Sequence, residues 1–153
     1  MGYKIPISVL VVIYTPKLDI LILERADKSG FWQSVTGSLD TPDEPLAMAA
    51  AREVKEETGI DVTASQAVLQ DWKKSIEYEI YPYWRHRYAA HVLRNTEHWF
   101  GLEVPCIQAI TLAPREHVQY RWLPYQEAAG KCFSPSNQEA ILALPRHIKT
   151  SCA

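Results

Sequence analysis

At 153 residues the chain has room for one domain, read here as a single unit over 1–153. Hydrophobic residues make up 47% and the net charge is −2, a globular balance that excludes a strongly basic nucleic-acid binder and gives no overall field for an anionic membrane. Cys106, Cys132 and Cys152 form no close pair, which argues against a disulfide framework or a zinc site and suits a reducing cytoplasm.

SVLVVIY (8–14) is a continuous apolar, β-branched run and predicts a central strand. TPKLD predicts a turn and ILILER (20–25) a second strand. ADKSG turns again, and FWQSVTG is a short extended piece ending at Gly37. After the loop SLDTPDE, the strong helix formers LAMAAAREVKEET predict a helix over 46–58. Pro45 fits its first turn and Gly59 its C-cap. SIEYEIY, RHRYAAHVL and TEHWFGLEV read as strand-like runs, as does 118–124. PYQEAAGK predicts a short helix, and 134–148 one helix with Ser134 or Ser136 near its N-cap. Strands mixed with two or three helices, without βαβ alternation, predict a mixed sheet with helices packed on it. The opening apolar run is too short to span a bilayer and lacks a small-residue cleavage site, so no membrane association is expected.

Glu53, Glu56 and Glu57 occupy helix positions i, i+3 and i+4 and share one face. Such like charges destabilise a helix by roughly 0.2–0.5 kcal/mol per pair. One reading is a solvated acidic face relieved by Arg52 and Lys55. The other is a site for a hard dication. The apolar stripe of Leu46, Ala50 and Val54 must pack on something, which holds the acids near a cleft. Mg²⁺ takes one or two carboxylates, keeps waters, and draws further ligands from substrate phosphates. The spacing therefore points to a metal-bound polyphosphate.

Gly37, Glu44, Arg52, Glu53, Val54, Glu56, Glu57, Gly59 and Ile60 together resemble the motif of the Nudix family. Six residues separate Gly37 from Glu44 where the family pattern has five. The extra residue falls in a loop that absorbs insertions cheaply, and it leaves open whether Asp43 stands in for Glu44. Thr36 also stands where many relatives have glycine. The resemblance implies an α/β (α+β) fold, an α/β/α sandwich around a mixed sheet. It implies a hydrolase that splits a pyrophosphate bond with Mg²⁺, with Mn²⁺ able to substitute. Glu53 and Glu57 would be metal ligands, Glu56 a ligand or a helper in water activation, and Arg52 the residue that orients the carboxylates.

Further strings spread along the chain, among them YKIPISVLVVIY, FWQSVTGS, RNTEHWF and SNQEAI, resemble a branch of the family that acts on dihydroneopterin triphosphate in bacterial folate synthesis. By that resemblance Glu116 is an extra acidic ligand or base. Lys4, Arg25 and Thr36 match phosphate- and substrate-binding positions, Tyr78, Glu79, Ile80 and Tyr81 a segment lining the substrate, and Ser134 a contact at the last helix. Arg85, His86 and Arg87 form a basic cluster that either reaches phosphates or sits on a solvated face. His86 and His117 are read as ordinary polar residues, and no tryptophan is assigned to ring binding. The expected partner is a small-molecule triphosphate, with no nucleic acid and no membrane, for a cytoplasmic monomer or homodimer. Two alternatives stand beside this one, a Nudix enzyme for nucleoside triphosphates and a non-catalytic ligand sensor.

Overall fold

The computed structural model describes residues 2–64 and 66–149, so Cys152 lies outside the described residues. Strands β1 (Ile7–Tyr14), β2 (Asp19–Arg25), β3 (Trp32–Gln33) and β4 (Val35–Ser38) precede helix α1 (Leu46–Thr58). Then come β5 (Val68–Glu79), a 3₁₀ turn (Pro82–Arg87), β6 (Arg94–Glu103) and β7 (His117–Pro124). Helices α2 (Tyr125–Lys131), α3 (Pro135–Leu142) and α4 (Leu144–Lys149) close the described chain.

The sheet runs β3-β2-β1-β6-β5, with β4 added on β1 and β7 on β2. β1 and β6 are parallel over their whole length and the other pairings are antiparallel, so the sheet is mixed, as the element pattern predicts. β1 meets β2 only at Tyr14↔Ile20 and then pairs with β4 from Val11 back to Ser8. β2 instead takes β3 and β7. The chain thus crosses from one half of the sheet to the other at Ser34, between β3 and β4. Asn137 clamps this crossing from α3. Its Oδ1 accepts from the Ser34 N–H at 2.7 Å and its Nδ2 donates to Ser34 Oγ at 2.9 Å.

Alternation along β1 divides the core between two faces. Val9, Val11 and Ile13 pack with Ala50 and Val54 of α1. Leu10, Val12 and Tyr14 pack with Ala128 of α2, Ile141 of α3 and Leu144 of α4. Helices cover both faces, which makes the three-layer sandwich. α1 spans the predicted 46–58, with Pro45 at its N-cap and Gly59 closing it in the left-handed region at φ 80°.

Two expectations are corrected. RHRYAAHVL is not a strand. Pro82 has no N–H to extend the β5–β6 ladder, and the chain coils into the 3₁₀ turn that buries Trp84. The Trp84 ring packs among Phe31, Tyr81 and Phe133, and its Nε1 donates to Asp27 Oδ2 at 2.9 Å. The tail helix breaks in two at Ala143, because Pro145 cannot donate to the Ile141 carbonyl.

β5 changes register against β6 between Asp71 and Lys74, and Lys73 takes φ 55° there. Trp72 beside this bulge is buried and lies across Gly101 of β6. A Cβ on Gly101 would come within 2.6 Å of the indole ring. Gly101→Ala should lower stability by about 1–3 kcal/mol through overpacking, measured by denaturant unfolding with far-UV circular dichroism unchanged.

Candidate active site

Arg52 organises the acidic end of the molecule. Its Nε and Nη2 donate to the two oxygens of Glu44, each at 3.0 Å. Nη2 also donates to the Ser38 carbonyl at 3.1 Å, and Nη1 to Glu53 Oε2 at 2.9 Å. These bonds lower the Glu44 pKa and raise that of the guanidinium. Glu44 further accepts from the Asp40 N–H at 2.8 Å, while Asp43 turns away to Thr41. The inserted loop residue therefore leaves Glu44 in its role, and Asp43 does not stand in for it.

The helical spacing delivers Glu53, Glu56 and Glu57 unequally. Glu56 is exposed and only 3.5 Å from Arg52. Glu53 is buried, and desolvation raises its pKa against the pull of Arg52. Its carboxylate fills the space beside Gly37, where any Cβ would collide with it, so glycine is needed there for room. Glu57 is 1% exposed and neither of its oxygens has a hydrogen-bond partner. Burial pushes its pKa well up, and the Glu53 and Glu116 charges push the same way. The Thr36 amide pulls against them from outside hydrogen-bonding geometry. His117, behind Glu57 at 3.9 Å, is held neutral by burial with its pKa down to about 4. It cannot supply the missing counter-charge at neutral pH.

Among the described residues no three acidic, imidazole or thiolate groups already stand at coordinating spacing. The donor chemistry still suits a hard divalent ion. Glu57 carries two orphaned oxygens in a dry place, Glu53 and Glu116 lie within its electrostatic reach, and all are oxygen ligands.

A cavity of about 1170 Å³ runs from this acidic end, past Lys4, Arg25 and Thr36, to Tyr78 and Ser134. Lys4 feels the Glu53 and Glu57 carboxylates as well as Arg87 and Arg25, and burial first, then those cations, lower its pKa. Its ammonium has no ion-pair partner among the described residues, the nearest group noted being the Tyr88 ring at 6.0 Å. Arg25 donates to Asp27 through Nε and Nη2 and to Gln33 through Nη1, and stacks on Trp84 at 4.3 Å. Three of its five donors are used, so two stay free for a ligand. Glu116 lines the cavity and is exposed.

At the far end Tyr78, Ile80 and Tyr81 line the cavity. Glu79 lines it too, although its carboxylate turns outward to Arg85 at 2.9 Å. Ser134 caps α3 by accepting from the Asn137 N–H at 3.0 Å. The basic cluster divides, with Arg87 in the cavity on Asp27, Arg85 on Glu79, and His86 on the surface. Arg115, Asn95 and Glu97 also line the cavity and are not among the sequence-predicted site residues. Asn95 and Glu97 lie in the polar run RNTEH at the start of β6, so the sequence offers no cue that marks them as buried.

Residues 4–144 match the family profile described as a NUDIX domain. The chain is 48% identical over 140 residues to the dihydroneopterin triphosphate diphosphatase of Escherichia coli K12, covering 91% of each. It is 40% identical over 142 residues to the enzyme of the same name from Haemophilus influenzae, covering 92% of this chain and 88% of that one. The solved E. coli dihydroneopterin triphosphate pyrophosphohydrolase superposes with a TM-score of 0.86 at 47% identity, over 92% of this chain and 95% of the other.

Glu57→Gln should cut kcat by orders of magnitude and weaken divalent-ion binding, while the metal-free variant melts no lower than the parent. Relief of a buried, unpaired carboxylate predicts that sign. Calorimetric ion titration alongside thermal melts checks both halves.

Proposed function

The chain belongs to the Nudix family, and on that premise we propose that it hydrolyses dihydroneopterin triphosphate to dihydroneopterin monophosphate and pyrophosphate with Mg²⁺. Nudix hydrolases need a divalent metal, and Mg²⁺, with Mn²⁺ able to replace it, is the ion its all-oxygen donors favour. The observation that carries the reading is one continuous cavity, open to the Glu53 carboxylate and to the Tyr78–Tyr81 segment alike. Its size exceeds the roughly 300–1,000 Å³ of small-ligand pockets, enough for a triphosphate and a bicyclic ring together. The E. coli and H. influenzae enzymes named for that substrate are similar to the chain over nearly its whole length.

In this reading Glu53, Glu57 and Glu116 hold the ion, with Glu56 either a further ligand or the base that takes the water proton. The ion, when bound, neutralises phosphate oxygens and makes a coordinated water more acidic. Arg52 orients the carboxylates at the edge of the cavity. It keeps Glu53 and the Ser38–Glu44 loop in place. Lys4 and the two free donors of Arg25 offset the phosphate charge, with Thr36 beside them. Tyr78, Glu79, Ile80, Tyr81 and Ser134 border the ring.

One chain completes this site, so a monomer or a homodimer serves equally. Cys106 and Cys132 are free thiols, which suits the cytoplasm. Among the described residues no helix is long and apolar enough to cross a membrane.

The test is pyrophosphate release across a panel, with dihydroneopterin triphosphate expected above dATP, dCTP, dGTP and dTTP in kcat/KM. A higher value for an ordinary nucleotide would give the activity to nucleoside triphosphates instead. In ¹⁸O water the label identifies which phosphorus is attacked. Lys4→Met should raise KM roughly tenfold with kcat little changed, as expected for one lost charge-assisted contact to ground-state phosphate; unchanged KM removes Lys4 from the phosphate site.

A further inference from the structure

Asn95 and Glu97 stand two residues apart on β6 and share a face of the strand. Both are buried, at 1% and 5% exposed, and both line the cavity. A buried carboxylate in a strand is expensive unless it has partners. Glu97 is half supplied. Its Oε1 accepts from Trp99 Nε1 and from Ser136 Oγ, each at 3.1 Å. Those two donors fix the carboxylate and leave Oε2 without a partner among the described residues. Burial raises the Glu97 pKa, and the only opposing pull comes from the same two donors.

Asn95 repeats the pattern. Its Nδ2 donates to Ser8 Oγ at 2.8 Å and to the Tyr78 hydroxyl at 3.2 Å, while Oδ1 is buried and has no partner. Both partners are hydroxyls, which donate or accept equally well. With Nδ2 engaged by both hydroxyls and Oδ1 out of reach of the cavity, Asn95 positions Ser8 and Tyr78 and does not touch a ligand itself. The walls are apolar and aromatic, with Leu10, Ile76 and Ile80 near Tyr81 and Phe133. A flat ring with a polar edge is the ligand such a place accepts.

We propose that Glu97, on a wall that Asn95 helps to fix, recognises the 2-amino-4-oxo edge shared by pterins and guanine. That edge presents two adjacent N–H donors and, next to them, a carbonyl. The cavity-facing oxygen of Glu97 accepts from the donor pair, while Asn95 holds the Tyr78 hydroxyl in place beside it. Adenine places a bare ring nitrogen where the second donor would be, and that nitrogen faces the carboxylate with no proton between them. Thymine and cytosine also lack the donor pair. The assignment rests on the substrate reading above and deepens it. The acidic end takes any polyphosphate, and Glu97 chooses the ring.

The test compares kcat/KM for dihydroneopterin triphosphate with that for dATP in the parent and in Glu97→Gln. The glutamine keeps an oxygen for Trp99 and Ser136 and turns an NH₂ toward the ring donors. The ratio should fall roughly 10- to 100-fold, the discrimination expected of a good paired contact to a base edge, and mostly through KM. Glu97→Asp, which keeps the charge on a shorter stem, should fall between, and it carries the comparison if the glutamine variant melts early. A parent that prefers dihydroneopterin triphosphate and a variant with an unchanged ratio would overturn the Glu97 assignment alone. A parent that prefers dATP would overturn the substrate reading together with it.

Discussion

The guanidinium of Arg52 faces Glu44, Glu53 and the Ser38 carbonyl at once. It thereby joins three segments that the sequence keeps apart, the end of β4, the loop before α1, and α1 itself. A single lysine could not do this, since a point charge lacks the planar fork that serves two carboxylates and a carbonyl in fixed directions. The Arg52 side chain is partly buried, so these bonds are less screened than surface ion pairs. The loop that carries the extra residue is tied at its two ends by the same side chain. Its length can vary without moving Glu53, because Glu44 and Ser38 are each anchored directly.

The acidic face is stable to folding only because the rest of α1 is packed. Ala49, Ala50 and Val54 are fully buried against β1, and that burial outweighs the few tenths of a kcal/mol that each like-charge pair costs. The helix then holds Glu57 where water does not reach it. A carboxylate there is poorly satisfied within the protein, which is the condition under which a divalent ion would be favoured over water. In the proposed function, local instability at the site and affinity for the ion would have one cause.

Helix α1 is legible in the sequence to within a residue, Pro45 proving to be its N-cap and not part of its first turn, because its spacing, its alanines and Gly59 all point the same way. The strands at 8–14 and 20–25 are legible from their apolar runs for the same reason. The segment 82–93 is not, since its aromatic residues answer to Phe31, Phe133 and Asp27, all distant in sequence. The acidic half of the site follows from helical periodicity. The ring end does not, because Asn95, Glu97 and Ser136 come from a strand and a helix that only the sheet and α3 bring together. Asn137 is missed for a similar reason. Its two bonds to Ser34 depend on a strand crossing with no local signature.

The two ends of the cavity differ in how they hold charge, and this difference has a consequence for specificity. Around Glu53 and Glu57 the carboxylates are crowded, and the nearby cations Lys4, Arg25 and Arg87 answer to phosphate as readily as to one another. Such an arrangement binds by net charge and has little means of telling one triphosphate from another. Around Glu97 there is one buried carboxylate, fixed by two neutral donors and surrounded by apolar walls. An unmatched edge placed there leaves that carboxylate desolvated and unpaired, and polar groups so abandoned are what let a site reject a near-isostere strongly. On the proposed assignment, selectivity resides in the strand, far along the chain from the helix that carries the acidic face. Exchange of residues on β6 could alter which ring is accepted while the metal face of α1 stays as it is.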